Sequence, residues 1–285
     1  MNGIVIVDKP ADWTSHDVVA KLRGVFKTKR IGHGGTLDPM ATGVLPVFIG
    51  RATRAAQFCE NAEKEYVAGL RLGVVTDTQD ITGTVTEHCR CNVSAEELGA
   101  VIPRFLGAQK QVPPMYSAVK IDGRKLYELA RRGVDIERPA RDIFISDIEL
   151  LGGEGNEFSL RIVCSKGTYI RTLCHDIGRE LGCGGVMSSL RRTRAGAFTI
   201  GAAHTMDELL GADRERVLLP VDSIFAEYPS IEIALPDVRK CKNGASCRLD
   251  AQDGRYRVYG PDGEFLLLGE VTGGELKTVK SFFEV

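Results

Sequence analysis

Apolar positions along the chain follow two different periods, and the change from one to the other marks out its elements. A short apolar run over residues 3–7 predicts a buried strand. Thr14-Ser15-His16-Asp17 then reads as a capping box, and Val18, Val19, Leu22, Val25 and Phe26 behind it form one face of a helix. Residues 44–49 give a second apolar strand, leading into a helix over about residues 53–61. From Tyr66 the period drops to two: Tyr66, Ala68, Leu70, Leu72 and Val74 share one face of a strand, with the Tyr66 ring on its more apolar side. Ser94 and Glu97 cap a further helix that ends near Gly107, and Phe158, Leu160, Ile162 and Cys164 alternate as another strand. Past Ser165-Lys166-Gly167 a helix is expected from about Thr168, with Thr168 as its N-cap and Gly182 as its terminator. Tyr169 and Arg171 therefore fall in its first turn, where backbone donors and the helix dipole favour a carboxylate.

Two stretches depart from this pattern. Residues 120–141 hold seven basic and four acidic residues, several Gly or Pro breakers and one helical segment over 125–132, which reads as an excursion from the core. From about Pro229 the turn signals crowd together, in Asn243-Gly244, Gln252-Asp253-Gly254 and Pro261-Asp262-Gly263-Glu264, as in a small β-rich module. The elements together predict an α+β protein in which residues 1–228 form one domain and residues 229–285 another.

Composition agrees with that division. A chain of 285 residues suits about two domains. At 43% hydrophobic residues it can build real cores, and no run approaches the roughly 20 apolar residues of a membrane span. Asp8, Lys9 and Asp12 interrupt the one short apolar stretch at the start, unlike a secretory signal, so a cytoplasmic protein is expected. Eight cysteines then read as free thiols. His88, Cys89 and Cys91, and Cys174, His175 and Cys183, lie close in sequence but lack paired Cys-x-x-Cys knuckles, so no metal is expected.

A net charge of −1 is unfriendly to a nucleic-acid partner, because phosphate contacts need Lys and Arg. The charge is patterned, however. Residues 21–30 carry five basic residues and no acid, Arg191, Arg192 and Arg194 form a second group, and Arg239, Lys240, Lys242 and Arg248 a third. One such run is usually a solvated face; three unopposed runs describe local basic faces on a near-neutral chain.

The candidate chemistry sits in residues 32–46, Gly-His-Gly-Gly-Thr-Leu-Asp-Pro-Met-Ala-Thr-Gly-Val-Leu-Pro. Gly34 and Gly35 permit backbone angles closed to other residues, and Pro39 pushes Asp38 towards an extended conformation, so a stiff loop presents one carboxylate. An ordinary Asp-Pro turn is the plain alternative. No Lys-Ser or Lys-Thr pair completes a phosphate-binding loop, and Leu37 stands where a dinucleotide fingerprint needs its third glycine. What remains is a carboxylate without a phosphate cradle.

Those fifteen residues resemble the catalytic motif of the TruB family, the tRNA pseudouridine synthases that isomerise uridine 55 in the T loop. Further segments match in order: Asp8-Lys9-Pro10 with Thr14-Ser15, Lys64-Glu65-Tyr66-Val67-Ala68, Thr76-Asp77-Thr78-Gln79-Asp80, Pro113-Pro114-Met115-Tyr116-Ser117-Ala118-Val119-Lys120, the run from Cys164 to Leu173, and Ser189-Leu190-Arg191-Arg192-Thr193-Arg194. The family usually has glycine where Asp12 stands here, which leaves the turn after Pro10 open.

The resemblance implies a mainly antiparallel mixed sheet flanked by helices, an RNA-clamping thumb over about 108–142, and a small C-terminal PUA-like RNA-binding domain over 229–285. It implies an isomerase of uridine in the tRNA T arm, working by base flipping, with Asp38 as the essential carboxylate; whether Asp38 adds to the sugar or base, or takes a ribose proton, stays open. Arg171 would keep Asp38 ionised. Tyr66 would stack under the flipped base and handle the C5 proton, Tyr169 and Leu190 would line the pocket, and His33 would fill the space the nucleotide vacates. The reaction changes no oxidation state, so no cofactor or metal is expected, nor any membrane or obligate protein partner, and the protein is expected to be a monomer. An RNA-binding module without catalysis is one rival, opposed by Asp38, Tyr66 and Arg171 occurring together. A nucleoside hydrolase is another, and would usually need two cooperating carboxylates.

Overall fold

The computed structural model describes residues 1–121 and 123–283. The chain divides into two compact units, one built from Met1–Asp38, Val44–Glu60 and Gly196–Val285, the other from Pro39–Gly43 and Asn61–Ala195.

In the first unit the Gly3–Lys9 strand neighbours the Thr42–Ile49 strand, which pairs antiparallel with Ile31–His33. The Ser15–Phe26 helix begins as expected: Thr14 accepts from the Asp17 N–H, and the Asp17 carboxylate accepts from the Thr14 N–H. Its buried Val18, Val19, Leu22 and Phe26 pack with Val5, Val7, Leu45, Val47 and Ile49 of the strands, and with Met206 and Leu209 of the Met206–Gly211 helix. Asp12 adopts φ +65°. The turn after Pro10 is thus a left-handed one, which aspartate tolerates better than most residues and glycine better still.

The helix expected over 53–61 is split into a 3₁₀ turn, Gly50–Ala55, and the α-helix Ala56–Asn61. The Thr53 hydroxyl donates to the Gly50 carbonyl at 2.8 Å, favouring the tighter turn at the start.

Residues beyond 229 build a five-stranded sheet in the order Ser230–Glu232, Gly254–Tyr259, Phe265–Thr272, Glu275–Ser281, Cys247–Arg248. A helix, Leu235–Lys242, was not expected; its Val238 and Cys241 enter a core with Val258, Leu266, Leu267, Val271 and Leu276. Phe225, 1% exposed, meets the Phe58 ring edge-on at 5.0 Å and the Phe282 ring at 5.8 Å. The C-terminal strands therefore share apolar contacts with earlier parts of the same unit.

The second unit is organised on an antiparallel sheet in the order Gly185–Ala195, Lys64–Leu72, Glu157–Cys164, Arg141–Glu154, Gly107–Gln111. Burial along Lys64–Leu72 follows the expected alternation only in part: Ala68, Leu70 and Leu72 are buried, but so is Gly69, and Tyr66 is half-buried like its neighbours Glu65 and Val67; the strand stops at Leu72, and Val74–Thr76 pairs instead with Val85–His88. The helix begun at Ser94 is a true capping box, but α-structure covers only Ala95–Val101 before a 3₁₀ turn at Ile102–Phe105, where Pro103 cannot supply an N–H. Gly107–Gln111 and Arg141–Glu154 are sheet strands paired from Gln111 with Arg141. The excursion placed at about 108–142 accordingly leaves the sheet between residues 112 and 140; residue 122, within it, lies outside the described residues. Its helix is Leu126–Ala130, preceded by a hairpin of Lys120–Ile121 with Arg124–Lys125.

Candidate active site

The Asp38 loop belongs to the first unit, and its rigidity has identifiable causes. His33 closes the Ile31–His33 strand opposite Val47, and the Gly34 N–H donates to the Pro46 carbonyl at 2.9 Å, so the segment from 31 to 49 doubles back on itself. Gly35 has φ +123°, as its glycine identity suggests. Gly34 does not have an angle reserved for glycine; it is needed for space, because a Cβ there would stand 2.8 Å from the Phe48 ring and 2.9 Å from Cys59. Beyond it, Leu37 is buried and its N–H donates to the buried Ser15 hydroxyl at 2.9 Å, while that hydroxyl donates to the Leu37 carbonyl at 3.3 Å. Asp38 follows directly, half-buried. His33 is half-buried with its ring edge-on to His16, centroids 5.5 Å apart.

The remaining expected site residues lie in the second unit. Tyr66, half-buried, stands in the central strand with Ile162 opposite on one side and Arg192 on the other. Leu190 is buried opposite Ala68 two positions along the same strand pair. Gly43, at φ +100°, lets the chain just after the Asp38 loop run parallel against this edge, since a Cβ there would be 2.2 Å from the Arg192 carbonyl oxygen.

Arg171 is 4% exposed and held by backbone and carboxylate oxygens. Its guanidinium donates to the Tyr116 carbonyl at 2.8 Å and the Thr78 carbonyl at 3.3 Å, and lies 3.6 Å from Asp80. Asp80, 5% exposed, is itself fixed: one carboxylate oxygen accepts from the Thr78 hydroxyl at 2.8 Å, the Thr82 hydroxyl at 2.6 Å and the Thr82 N–H at 3.0 Å. A buried cation needs such a partner, because an unpaired one would lose its hydration without return. In the sequence, Thr76-Asp77-Thr78-Gln79-Asp80 stands out only as a motif. The signal available was Asp80 flanked two residues either side by threonines, the spacing that lets short hydroxyls bind one carboxylate.

The helix carrying Arg171 is Ile170–Glu180, and its N-cap is Tyr169 and not Thr168. No side chain of its own neighbourhood caps it; the Gln111 side chain, 58 residues away, accepts from the Tyr169 N–H at 2.8 Å and donates to the Tyr169 carbonyl at 3.0 Å. At the other end the expected terminator holds: Gly182 and Cys183 N–H groups return to the Arg179 and Gly178 carbonyls, with Gly182 at φ +70°. Farther along the helix, burial pushes the Cys174 thiol up to about 12 and holds it protonated. Burial likewise raises the Asp176 carboxyl above its ordinary value and lowers His175. All eight cysteines are free thiols. Among the described residues no group of three or more His, Cys, Asp or Glu side chains is arranged to hold a metal ion, and no helix is long and apolar enough to cross a membrane.

The chain is similar over nearly its whole length to two solved assemblies. One is a Cbf5-Nop10-Gar1 complex, with a TM-score of 0.76 and 29% identity over 99% of this chain and 85% of that one. Another is an H/ACA RNP bound to a substrate RNA containing 2'-deoxyuridine, with a TM-score of 0.74 and 27% identity over 99% and 85%. Residues 23–170 match the family described as TruB family pseudouridylate synthase, N-terminal domain, and residues 171–226 match the tRNA pseudouridylate synthase B C-terminal domain. Among curated relatives, tRNA pseudouridine synthase B of Syntrophomonas wolfei is 43% identical over 98% of this chain and 96% of its own, and that of Clostridium kluyveri 41% over 99% and 100%. The chain belongs to the TruB family of pseudouridylate synthases.

Proposed function

We propose that the protein isomerises uridine to pseudouridine in tRNA, at position 55 of the T loop, with Asp38 as the essential carboxylate. The observation that carries this reading is the mount of Asp38: the Gly34–Pro46 and Ser15–Leu37 hydrogen bonds hold the backbone around one half-buried carboxylate, as positioning a group against a reacting base demands. Isomerisation breaks the glycosidic C–N bond, turns the uracil and joins its C5 to the sugar, with no change in oxidation state and no call for a cofactor.

In this reading the target uridine leaves its stack at a cost of a few kcal/mol, which contacts in the pocket offset. Tyr66 stacks under the base and handles the C5 proton; Tyr169 and Leu190 line the pocket; His33 fills the vacated space in the RNA. Arg171 favours the ionised state of Asp38, because a cation beside a carboxylate opposes the effect of desolvation. The excursion between residues 112 and 140 acts as the RNA-clamping thumb. Residues 229–285 act as a PUA-like RNA-holding domain attached to a catalytic domain of residues 1–228. The protein works as a monomer in the cytoplasm.

The test is to incubate purified protein with unmodified tRNA, without added metal, and map pseudouridine by position. Asp38→Asn should fold, bind tRNA and form no pseudouridine. Turnover within about tenfold of wild type, roughly 1.4 kcal/mol of barrier, would remove Asp38 from the chemistry; modification elsewhere than the T loop would overturn the position.

A further inference from the structure

Gln111 is 5% exposed, and its amide is spent on a single backbone residue. It accepts from the Tyr169 N–H and donates to the Tyr169 carbonyl, so that the side chain pairs with Tyr169 as a neighbouring strand would. Only one amide orientation satisfies both partners, and no other neutral side chain of this length offers a donor and an acceptor side by side. Tyr169 is also the N-cap of the Arg171 helix, and its carbonyl accepts from the Leu173 N–H at 3.1 Å. The clamp therefore fixes the backbone that aims the Tyr169 ring and, two residues on, Arg171.

The other side of the clamp leads into the thumb. Gln111 is the last residue of the Gly107–Gln111 strand, paired with Arg141, the first residue of the returning strand, so the excursion begins and ends at this pair. Five residues past Gln111, the Tyr116 carbonyl accepts from Arg171. The base of the thumb thus grips the start of the Arg171 helix at two points, one on Tyr169 and one on Arg171.

We infer that Gln111 is a positioning residue through which the placement of the RNA-clamping thumb is transmitted to Tyr169 and Arg171. The assignment rests on the function proposed above. RNA that seats the thumb would, through Gln111, set the geometry of the catalytic residues, and losing the clamp would slow the chemical step without releasing the RNA.

Gln111→Leu removes both hydrogen bonds, and Gln111→Glu replaces the donor with a carboxylate oxygen that faces the Tyr169 carbonyl. At pH 8 both variants should lose about 10- to 100-fold in single-turnover rate at saturating tRNA, the range expected for small misplacement of reacting groups, with tRNA affinity within about threefold of wild type. On lowering the pH, Gln111→Glu alone should recover relative to wild type, because its protonated carboxyl restores a donor beside an acceptor and burial raises the pH at which it protonates. That recovery separates positioning from a general loss of structure, and it decides the matter even where Gln111→Leu fails to fold. A folded Gln111→Leu with wild-type rate, a loss confined to affinity, or a pH-independent Gln111→Glu defect would overturn the assignment. Wild-type protein that binds tRNA and forms no pseudouridine would instead overturn the function on which the assignment rests.

Discussion

Gly34→Ala adds one methyl group beside the Asp38 loop, and the structure says where it goes. The new Cβ would stand 2.8 Å from Phe48 Cε2 and 2.9 Å from both Cβ and Sγ of Cys59. Phe48 is fully buried and Cys59 1% exposed, so neither can swing into solvent. Reaching ordinary contact needs a relative shift on the order of 0.5–1 Å, and overpacking of this kind costs about 1–3 kcal/mol. The Gly34 N–H to Pro46 hydrogen bond ties one end of the loop and the Ser15–Leu37 pair the other, so the added methyl strains the two anchors that place Asp38. A displaced carboxylate should lower the single-turnover rate at saturating tRNA by about 100-fold. Urea denaturation measures the first effect and rapid-quench kinetics the second. Gly24→Ala is the control: nothing lies within 4 Å of a Cβ there, in a helix interior, so it should stabilise by about 0.5–1 kcal/mol and leave the rate alone. Gly34→Ala with wild-type stability and wild-type rate would refute the claim that Gly34 is present for space.

Two further outcomes are expected. Asp80→Ala breaks a buried ion pair by removing a carboxylate 3.6 Å from the Arg171 guanidinium, and should cost about 3–5 kcal/mol by chemical denaturation as well as most of the activity; a loss of activity at unchanged stability would show that the pair serves chemistry alone. Burial raises the Asp176 carboxyl in the folded state, so ionised Asp176 subtracts stability at neutral pH, a penalty that fades as the pH falls through the raised folded value to the ordinary aspartate range. Asp176→Asn should therefore raise the urea midpoint at pH 7 and converge with wild type in acid; a variant less stable at pH 7 would reverse the assigned sign.

Local signals in the sequence located the elements whose causes are local. The capping boxes at Thr14 and Ser94 form from residues three positions apart, and both were legible for that reason. The Arg141–Glu154 strand was not, because bulges between Ile145 and Asp147 and between Leu150 and Gly152 break its alternation. The Leu235–Lys242 helix buries only Val238 and Cys241, too few to show a period. At the start of the Arg171 helix, cap preference favoured Thr168, yet Gln111 supplies the cap from a distant strand, which no local rule can see. The Asp38 motif was readable as a mount, but its second anchor, Ser15 on Leu37, spans 22 residues. Gly34 is required for space and not for backbone freedom, and the sequence alone does not show this because its neighbours Phe48 and Cys59 come from elsewhere in the chain.

The first unit draws on three separated segments, and that has a consequence for synthesis. Ile4 bridges to Leu219 and Val7 to His204, while Met206 and Leu209 complete the core around Val5, Val18 and Leu22. At a translation rate of about 5–20 residues per second, roughly 10–40 seconds separate the appearance of the first strand from that of its last partner. During that interval residues 61–195, nearly all of the second unit, are made as one contiguous stretch, complete before the last partners of the first strand. The order of assembly is therefore set: the RNA-modifying sheet closes first, and the N-terminal strand waits with an open edge, the kind of surface that chaperones must cover. A ribosome that stalls before residue 204 releases a chain carrying Asp38, Tyr66 and Arg171 together, yet lacking the segment that completes the core beneath the Asp38 loop.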